Sequence, residues 1–274
     1  MVRRVCMILV LAIPVPGYAA IPQSERDVLL ALYAGTNGDH WQSQDGWNGA
    51  AGTECSWYGI TCDGAQEHVV GIDLFLNTMG GRLPPIADLT ELASFDVSYN
   101  HLTGAIPPLD SLVNLTHVDV SFNQLSGTIP SLVNLTSLES FHAERNYLSG
   151  PMPPLAGLTQ LRYFDAYSNY LTGPLPPLTD LPNLQTFDVS VNRLSGSIPS
   201  LAGLTALIDF SLADNLFSGP FPPLTGLTRI FQFDVGDNLL TGPVPSFIDN
   251  PSLGAFGIRG NELSGTLPDP PDSL

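Results

Sequence analysis

The stretch LTHVDVSFNQLSGTIPSLVNLTS, residues 115–137, is followed directly by LESFHAERNYLSGPMPPLAGLTQ, residues 138–160. Both stretches are 23 residues long, and each has an Asn, a Gly four residues later and a Pro three residues after that Gly. The Asn recurs nine times at a constant interval of 23, at positions 77, 100, 123, 146, 169, 192, 215, 238 and 261. A fixed period of this length predicts a solenoid of stacked, equivalent turns.

Each repeat predicts one strand followed by a turn. Apolar and polar residues alternate before the Asn, as in Val118, Asp119 and Val120, which is typical of a strand with one buried face. Stacked repeats would pair these strands into a parallel sheet. We expect each Asn amide to bond backbone groups of adjacent turns. The Gly permits a left-handed backbone and the Pro favours an extended return, so the repeats should contain almost no helix.

An aromatic column runs through the repeats five residues before the Asn. It is Phe in seven of the nine repeats, at positions 95, 141, 164, 187, 210, 233 and 256. Because each aromatic ring buries a large area, we expect these side chains to stack as an inner spine of the core.

The repeated pattern LxxLxLxxNxLxGxIPxxL resembles that of the plant-type, extracellular leucine-rich repeat family over residues 69–274. The resemblance implies a leucine-rich repeat solenoid, a right-handed α/β-type superhelix with a parallel β-sheet on its concave face. Its convex side would be extended, 3₁₀ and polyproline II segments with little helix, and a helical cap would cover the N-terminal end. We divide the chain into a signal peptide at 1–20, a cap at 21–68 and nine repeats at 69–274. The repeat is one residue shorter than is usual in the family.

The N-terminus predicts export. Arg3 and Arg4 precede an apolar run from Cys6 to Val15, and small residues follow at Ala19 and Ala20, as in a cleaved signal peptide. No later stretch approaches eighteen uninterrupted apolar residues, so no transmembrane segment is expected. The interpretation is a secreted or cell-surface protein, periplasmic or extracellular if the source is bacterial.

Residues 21–68 resemble the N-terminal cap of the same family. Ser24 is placed to cap a helix whose apolar face is formed by Val28, Leu29, Leu30, Leu32 and Tyr33. The stretch CSWYGITC, from Cys55 to Cys62, is similar to the CxWxGxxC element of that cap, which together with the export signal implies a Cys55–Cys62 disulfide. A zinc site is not supported, because His68 and two cysteines do not make four ligands.

Composition excludes several functions. The basic residues are nine Arg with no Lys against 26 Asp and Glu, for a net charge of −17, so nucleic acid is not expected as a partner. With 43% hydrophobic and 13% charged residues, the chain is not a disordered one. It also lacks the phosphate-binding glycine motif, HExxH and GxSxG. We therefore predict no enzyme activity and no cofactor.

An Asp column is the one signal that could indicate catalysis. It lies four residues before the Asn, at Asp73, Asp96, Asp119, Asp165, Asp188 and Asp234. Paired carboxylates serve glycosidases, and carboxylate clusters accept divalent cations that need six or more oxygens. Asp at this position is, however, ordinary in the plant-type repeat. In an open groove the carboxyl groups have similar surroundings, so nothing would make one the acid and another the nucleophile. We therefore interpret the column as structural.

The column breaks at His142, and the predicted ligand-binding patch is centred there. Its members all point outward by strand alternation, and they are His117, His142, Glu144, Arg145, Arg162, Tyr163, Asp165 and Tyr167. A second exposed stripe lies at Leu76, Tyr99 and Phe122. Aromatic and Arg side chains often carry binding energy at interfaces. The alternative interpretation is that these are scattered surface residues without a binding role, which are common in proteins. His142 and Glu144 alone offer too few ligands for a metal site.

The leading functional hypothesis is a non-catalytic recognition protein that binds a protein or peptide through its concave face. The resemblance implies it, since receptor-like kinase ectodomains and polygalacturonase-inhibiting proteins share the repeat. The alternative is an adhesive, structural protein that binds cell-wall polysaccharide through Tyr99, Phe122, Tyr163 and Tyr167. Asn114 and Asn134 stand in glycosylation sequons, which matter only in a eukaryotic secretory pathway.

Overall fold

A computed structural model describes residues 20–268 of the chain. The predicted signal peptide, apart from Ala20, lies outside these residues. The described part begins with a helix, Gln23–Gly35, and two 3₁₀ turns, Gly38–His40 and Glu54–Ser56. Everything after them is strand, turn or extended chain. No helix within residues 20–268 is long and apolar enough to cross a membrane.

The predicted parallel sheet is confirmed and is called the concave sheet here. It has ten strands, and all but the first pair run parallel, in chain order. They are Ile60–Cys62, Val69–Asp73, Ser94–Asp96, His117–Asp119, Ser140–His142, Tyr163–Asp165, Thr186–Asp188, Asp209–Ser211, Gln232–Asp234 and Ala255–Gly257. The register aligns equivalent positions of successive repeats, so Phe164 lies beside Phe187 and His142 lies between Asp119 and Asp165.

A second run of parallel strands, not predicted from the sequence, follows each Asn. These nine strands are Gly80–Arg82, His101–Gly104, Gln124–Gly127, Tyr147–Gly150, Tyr170–Gly173, Arg193–Gly196, Leu216–Pro220, Leu239–Pro243 and Glu262–Ser264. Each ends at or next to the repeat's Gly, which has a positive φ, 81° at Gly150 for example. The short segments between Asn and Pro were interpreted as turns because Gly and Pro dominate them, but stacking pairs their backbones into a ladder.

The Asn ladder binds neighbouring turns together, as predicted. In Asn169, Oδ1 accepts the Leu148 N–H at 2.9 Å, and Nδ2 donates to the carbonyls of Ala143 at 3.0 Å and Ala166 at 3.2 Å. Leu148 and Ala143 belong to the preceding repeat. One buried amide thus satisfies backbone groups of two turns that would otherwise be buried without partners.

The Phe spine is also confirmed. From Phe141 to Phe233 the rings are fully buried and nearly parallel, with successive centroids 5.2–5.6 Å apart. Leu and Ile columns surround them and are buried as well. The core is therefore a continuous rod along the solenoid axis, and the concave sheet covers it on one side.

The cap has its own aromatic core and the implied disulfide. Tyr33, Trp41, Trp47 and Trp57 are buried against one another, with ring centroids 4.9–5.9 Å apart. Cys55 and Cys62 form a disulfide with their Cα atoms 5.4 Å apart. This bond links the 3₁₀ turn of the cap to the first strand of the concave sheet.

The predicted helix cap at Ser24 is wrong. The helix begins one residue earlier, at Gln23, and Pro22 holds the N-cap position with φ −53° and no side-chain hydrogen bond. The Pro22 carbonyl accepts the first helical bond, from the Arg26 N–H at 3.1 Å. Because proline fixes φ and has no N–H to satisfy, it can start the helix without a side-chain cap.

A buried carboxylate joins the cap to the repeats. Glu25 Oε2 accepts the Val69 N–H at 2.7 Å, and Oε1 lies 2.6 Å from His68 Nδ1. The hydrogen bond to Glu25 raises the pKa of His68 above its usual value, against an opposing effect of burial. The carboxylates of Asp63 and Glu91 raise it further.

This contact predicts a pH-dependent contribution to stability. A raised histidine pKa adds stability that is fully present below the unfolded pKa, about 6.5, and is lost as pH rises through the folded pKa. Replacing His68 by Gln should therefore cost more at pH 5.5 than at pH 8.5. The difference should stay below about 1 kcal/mol, since solvent screens a side chain this exposed. Urea unfolding of both proteins at the two pH values measures it, and an equal loss at both would contradict the assignment.

Candidate functional site

The Asp column has a structural role at the ends of the concave strands. Oδ1 of each Asp accepts the backbone N–H two residues later, at 2.9 Å in Asp119 and 2.8 Å in Asp188. The same bond forms at Asp73, Asp96, Asp165 and Asp234. Each carboxylate therefore closes the turn that leads from the strand to the Asn. This repeated bond accounts for the column without a catalytic role.

Three of the predicted site residues meet where that column is interrupted. Donor atoms of His142, Glu144 and Asp165 all lie within 4.8 Å of one another, and His142 Nδ1 is 3.9 Å from Glu144 Oε2. His142 and Glu144 project from the same side of one repeat, and Asp165 stands beside His142 on the next strand. The three form a half-buried pocket in the floor of the concave face, called the carboxylate pocket here.

Burial of the pocket changes its acid–base chemistry. Desolvation raises the pKa of Glu144 to about 7 and that of Asp165 to about 7, and the Glu144 charge contributes to the second shift. Glu144 Oε2 is fully buried and accepts no hydrogen bond. Strand alternation alone predicted that Glu144 points outward and did not indicate this burial.

Beside the pocket, exposed and half-buried rings form a stack across five consecutive repeats, called the aromatic ladder here. Its members are Phe75, Tyr99, Phe122, Arg145 and Tyr167. Phe75 meets Tyr99 edge to face at 5.4 Å, and Tyr99 stacks on Phe122 at 4.0 Å. The Arg145 guanidinium carbon then lies 5.3 Å from the Phe122 ring centre and 5.2 Å from that of Tyr167.

The backbone explains why these side chains stand clear of the floor. The residue just before the Asn adopts a left-handed conformation, with φ of 54° at Tyr99, 51° at Phe122 and 53° at Arg145. Non-glycine residues rarely adopt this region, and here the hydrogen bonds of the Asn ladder hold it. The left-handed turn ends the strand alternation and directs these three side chains to the rim of the concave face.

A second row lies across the Asn ladder from the first. Tyr147 stacks on Tyr170 with ring centres 6.1 Å apart, and the Arg193 guanidinium lies 4.9 Å from the Tyr170 ring centre. A shallow depression, called the rim groove here, separates this row from Arg145. Its lining includes Arg145, Tyr147, Ser168, Tyr170 and Val191. The first row therefore contributes Arg145 to this groove, and the second row contributes Tyr147 and Tyr170.

The predicted patch thus divides into separate groups. Arg145 and Tyr167 belong to the aromatic ladder, while His142, Glu144 and Asp165 form the carboxylate pocket. The other three stand at the opposite, N-terminal ends of the strands. There Tyr163 donates to Gln185 at 3.2 Å, Arg162 pairs with Glu139 at 3.7 Å, and the His117 ring contacts Thr116. Leu76 is exposed but outside the ring stack.

Sequence reasoning missed Phe75, Tyr147, Tyr170 and Arg193. Tyr147, Tyr170 and Arg193 occupy one column of adjacent repeats, directly after the Asn. That shared column is a signal from which the row could have been predicted. It was passed over because the position was interpreted as a turn rather than part of a paired strand.

Stacked 23-residue turns, a buried Asn ladder and a helical, disulfide-bonded cap define the class of leucine-rich repeat solenoids. Family models agree: residues 22–63 match the leucine rich repeat N-terminal domain, and residues 114–135 and 183–204 match the leucine rich repeat. The chain has the leucine-rich repeat fold, with the N-terminal cap of that family. No curated protein matches it in sequence.

Solved structures with the same fold are plant proteins. The ectodomain of the Arabidopsis thaliana receptor kinase GASSHO1/SCHENGEN3, in complex with CASPARIAN STRIP INTEGRITY FACTOR 2, is 30% identical over 89% of this chain and 30% of its own, with a TM-score of 0.82. The plant peptide hormone receptor RGFR1, in complex with RGF2, is 28% identical over 72% and 40%, with a TM-score of 0.51.

A plant ice-binding protein is similar in length as well as in fold. It is 22% identical over 93% of this chain and 91% of its own, with a TM-score of 0.64, and this likeness concerns the fold alone. By contrast, the chain spans less than half the length of the GASSHO1/SCHENGEN3 ectodomain and of the RGFR1 receptor.

Proposed function

We propose that this protein is a non-catalytic recognition module, secreted or held at a cell surface, that binds a peptide segment on its concave side. The contact surface is the aromatic ladder together with the rim groove. The observation that carries the proposal is the ladder itself, a stack of four rings and one guanidinium that spans five repeats. Phe75, Tyr99 and Arg145 are exposed, and Phe122 and Tyr167 are half-buried.

The exposure of these rings has no structural explanation within the fold. Phe75 is 46% exposed and Tyr99 43% exposed, although the core has its own Phe spine. Exposed aromatic side chains that adjoin one another, rather than lying scattered, favour an interaction site. Arg145 supports the same interpretation, because its guanidinium is held between two rings and takes part in no salt bridge within residues 20–268. Arg and aromatic residues are the types enriched at binding hot spots.

The stacking geometry favours a peptide over a polysaccharide. A sugar ring packs on the open face of an aromatic ring, but one face of Tyr99 and of Phe122 is covered by the other at 4.0 Å. Arg145 lies over the Phe122 ring as well. Ring edges and a guanidinium are left for contact, and these suit the apolar side chains and carbonyl groups of a peptide.

Charge indicates the kind of peptide. The chain carries a net charge of −17, and the concave floor beside the ladder holds Asp73 and Asp119, outside the carboxylate pocket. A partner with basic side chains would be attracted to this surface and a polyanion repelled. The peptide-hormone receptor among the structural neighbours supports peptide binding by this fold. The export signal and the ectodomain neighbours support the extracellular location.

Selection from a displayed random peptide library on the immobilised, tag-free protein tests the proposal. Peptides that combine apolar and basic side chains should be enriched, and their binding should weaken with added salt. A panel of cell-wall glycans on the same surface should give no saturable signal. Enrichment of no peptide, or saturable binding of a glycan only, would overturn peptide recognition.

A further inference from the structure

We propose that His142, Glu144 and Asp165 form a binding site for a divalent transition-metal ion such as Zn²⁺, distinct from the peptide surface. The sequence alone offered His142 and Glu144, which are too few. The fold supplies the third ligand, because the register places Asp165 directly beside His142 on the next strand. One imidazole and two carboxylates are a donor set that Zn²⁺ accepts, with a fourth position left for water.

The distances are within reach of coordination. Donor atoms around one tetrahedral zinc ion stand about 3.4 Å apart, since the bonds are about 2.1 Å long. Here the three donor atoms lie within 4.8 Å of one another, and His142 Nδ1 is already 3.9 Å from Glu144 Oε2. To coordinate one ion, the side chains would have to bring their donor atoms from at most 4.8 Å to about 3.4 Å apart.

A buried oxygen without a hydrogen bond supports a cation site. Glu144 Oε2 is fully buried and accepts no hydrogen bond, and its neighbour His142 Nδ1 lies 3.9 Å away, beyond hydrogen-bond distance. Within residues 20–268 no Arg forms a salt bridge with Glu144 or Asp165. A buried carboxylate oxygen that accepts no hydrogen bond is costly, and a divalent ion would bind this oxygen and offset the repulsion between the two carboxylates.

What sets the pocket apart from the rest of the Asp column is its histidine. His142 supplies a nitrogen ligand that no other repeat has at this position. At Asp165 the turn-closing bond from the Tyr167 N–H falls on Oδ1, which leaves Oδ2 for an ion. The other Asp residues of the column use Oδ1 in the same way but have no imidazole beside a second carboxylate such as Glu144.

Calorimetric titration of the chelator-stripped, tag-free chain with ZnCl₂ alone tests the site. We expect one saturable site per chain. Loss of a residue that only hydrogen-bonds to a metal ligand costs roughly 10- to 100-fold in metal affinity. His142→Ala and Asp165→Asn each remove a direct ligand and should weaken Zn²⁺ binding by more than that. Replacement by Co²⁺ should give the visible absorption of a tetrahedral nitrogen–oxygen site in the wild type and not in His142→Ala.

The matched controls are His117→Ala and Asp73→Asn. They remove an imidazole and a carboxylate from the same face without touching the three ligands, and should leave affinity within about twofold, well under 1 kcal/mol. Circular dichroism melts show that each variant is folded. Absence of saturable heat with the wild type, or an equal loss in the control variants, would overturn the site. Because the titration contains no peptide, its outcome does not depend on whether the protein binds peptides.

Discussion

Replacing Asn169 by alanine is expected to lower the free energy of unfolding by about 3–5 kcal/mol. The side chain makes four backbone hydrogen bonds that join two repeats, including the bond from Leu148 N–H and those to the Ala143 and Ala166 carbonyls. Alanine leaves the Leu148 N–H buried and unpaired, at about 1–3 kcal/mol, and removes three further bonds worth about 1 kcal/mol each. The Ala143 and Ala166 carbonyls keep a second donor, from Asn146 and Asn192. Urea unfolding followed by circular dichroism measures the loss.

A matched control separates the ladder from asparagine in general. Asn134 is exposed on the convex side and donates one bond, to the Asp110 carbonyl at 3.3 Å. Asn134→Ala should stay within about 0.5 kcal/mol of the wild type, as surface substitutions usually do. If Asn169→Ala cost no more than this control, the ladder would be incidental to stability.

Replacing Phe187 by alanine should cost about 3–5 kcal/mol as well, for a different reason. The ring is fully buried and stacks between Phe164 at 5.5 Å and Phe210 at 5.6 Å. Alanine opens a cavity in the core. Because the concave sheet holds the neighbouring residues in place, they can fill this cavity only in part. Phe187→Leu, which keeps most of the volume, should cost less than about 1.5 kcal/mol.

Tyr147→Ala is the control for loss of aromatic area. Tyr147 is 52% exposed and stacks on one neighbour in the second row, so its loss should change stability by about 0.5 kcal/mol at most. Thermal and urea unfolding of the three variants give the ranking. A Phe187→Ala protein as stable as Tyr147→Ala would show that the Phe spine does not form the core.

Much of this fold could be predicted because the repeat imposes it. The 23-residue period placed the strands in register, and the register put His142 between Asp119 and Asp165. The buried Asn and Phe columns followed from residue type alone. The second run of strands was missed because its pairing depends on stacking between repeats, which local Gly and Pro preferences do not reveal. Ser24 was misassigned because Pro22 begins the helix instead.

The site was less predictable than the fold. Alternation along a strand correctly pointed the concave residues outward, but it fails at Arg145, where the left-handed turn carries the side chain to the rim. It also treats all outward residues as equally solvated, so the burial of Glu144 Oε2 was not foreseen. Which outward side chains meet depends on lateral packing between repeats, and only the structure separates the aromatic ladder from the carboxylate pocket.

The most direct test of recognition through the aromatic ladder compares one selected peptide on three proteins. These are the wild type, the ladder variant Arg145→Ala/Tyr167→Ala, and a convex-face variant, Val113→Ala/Val133→Ala, whose residues are also exposed. The ladder variant should bind at least about 30-fold more weakly, a loss of about 2 kcal/mol typical of a hot spot. The convex-face variant should match the wild type, and all three should melt alike. Equal affinity for the wild type and the ladder variant would contradict the account.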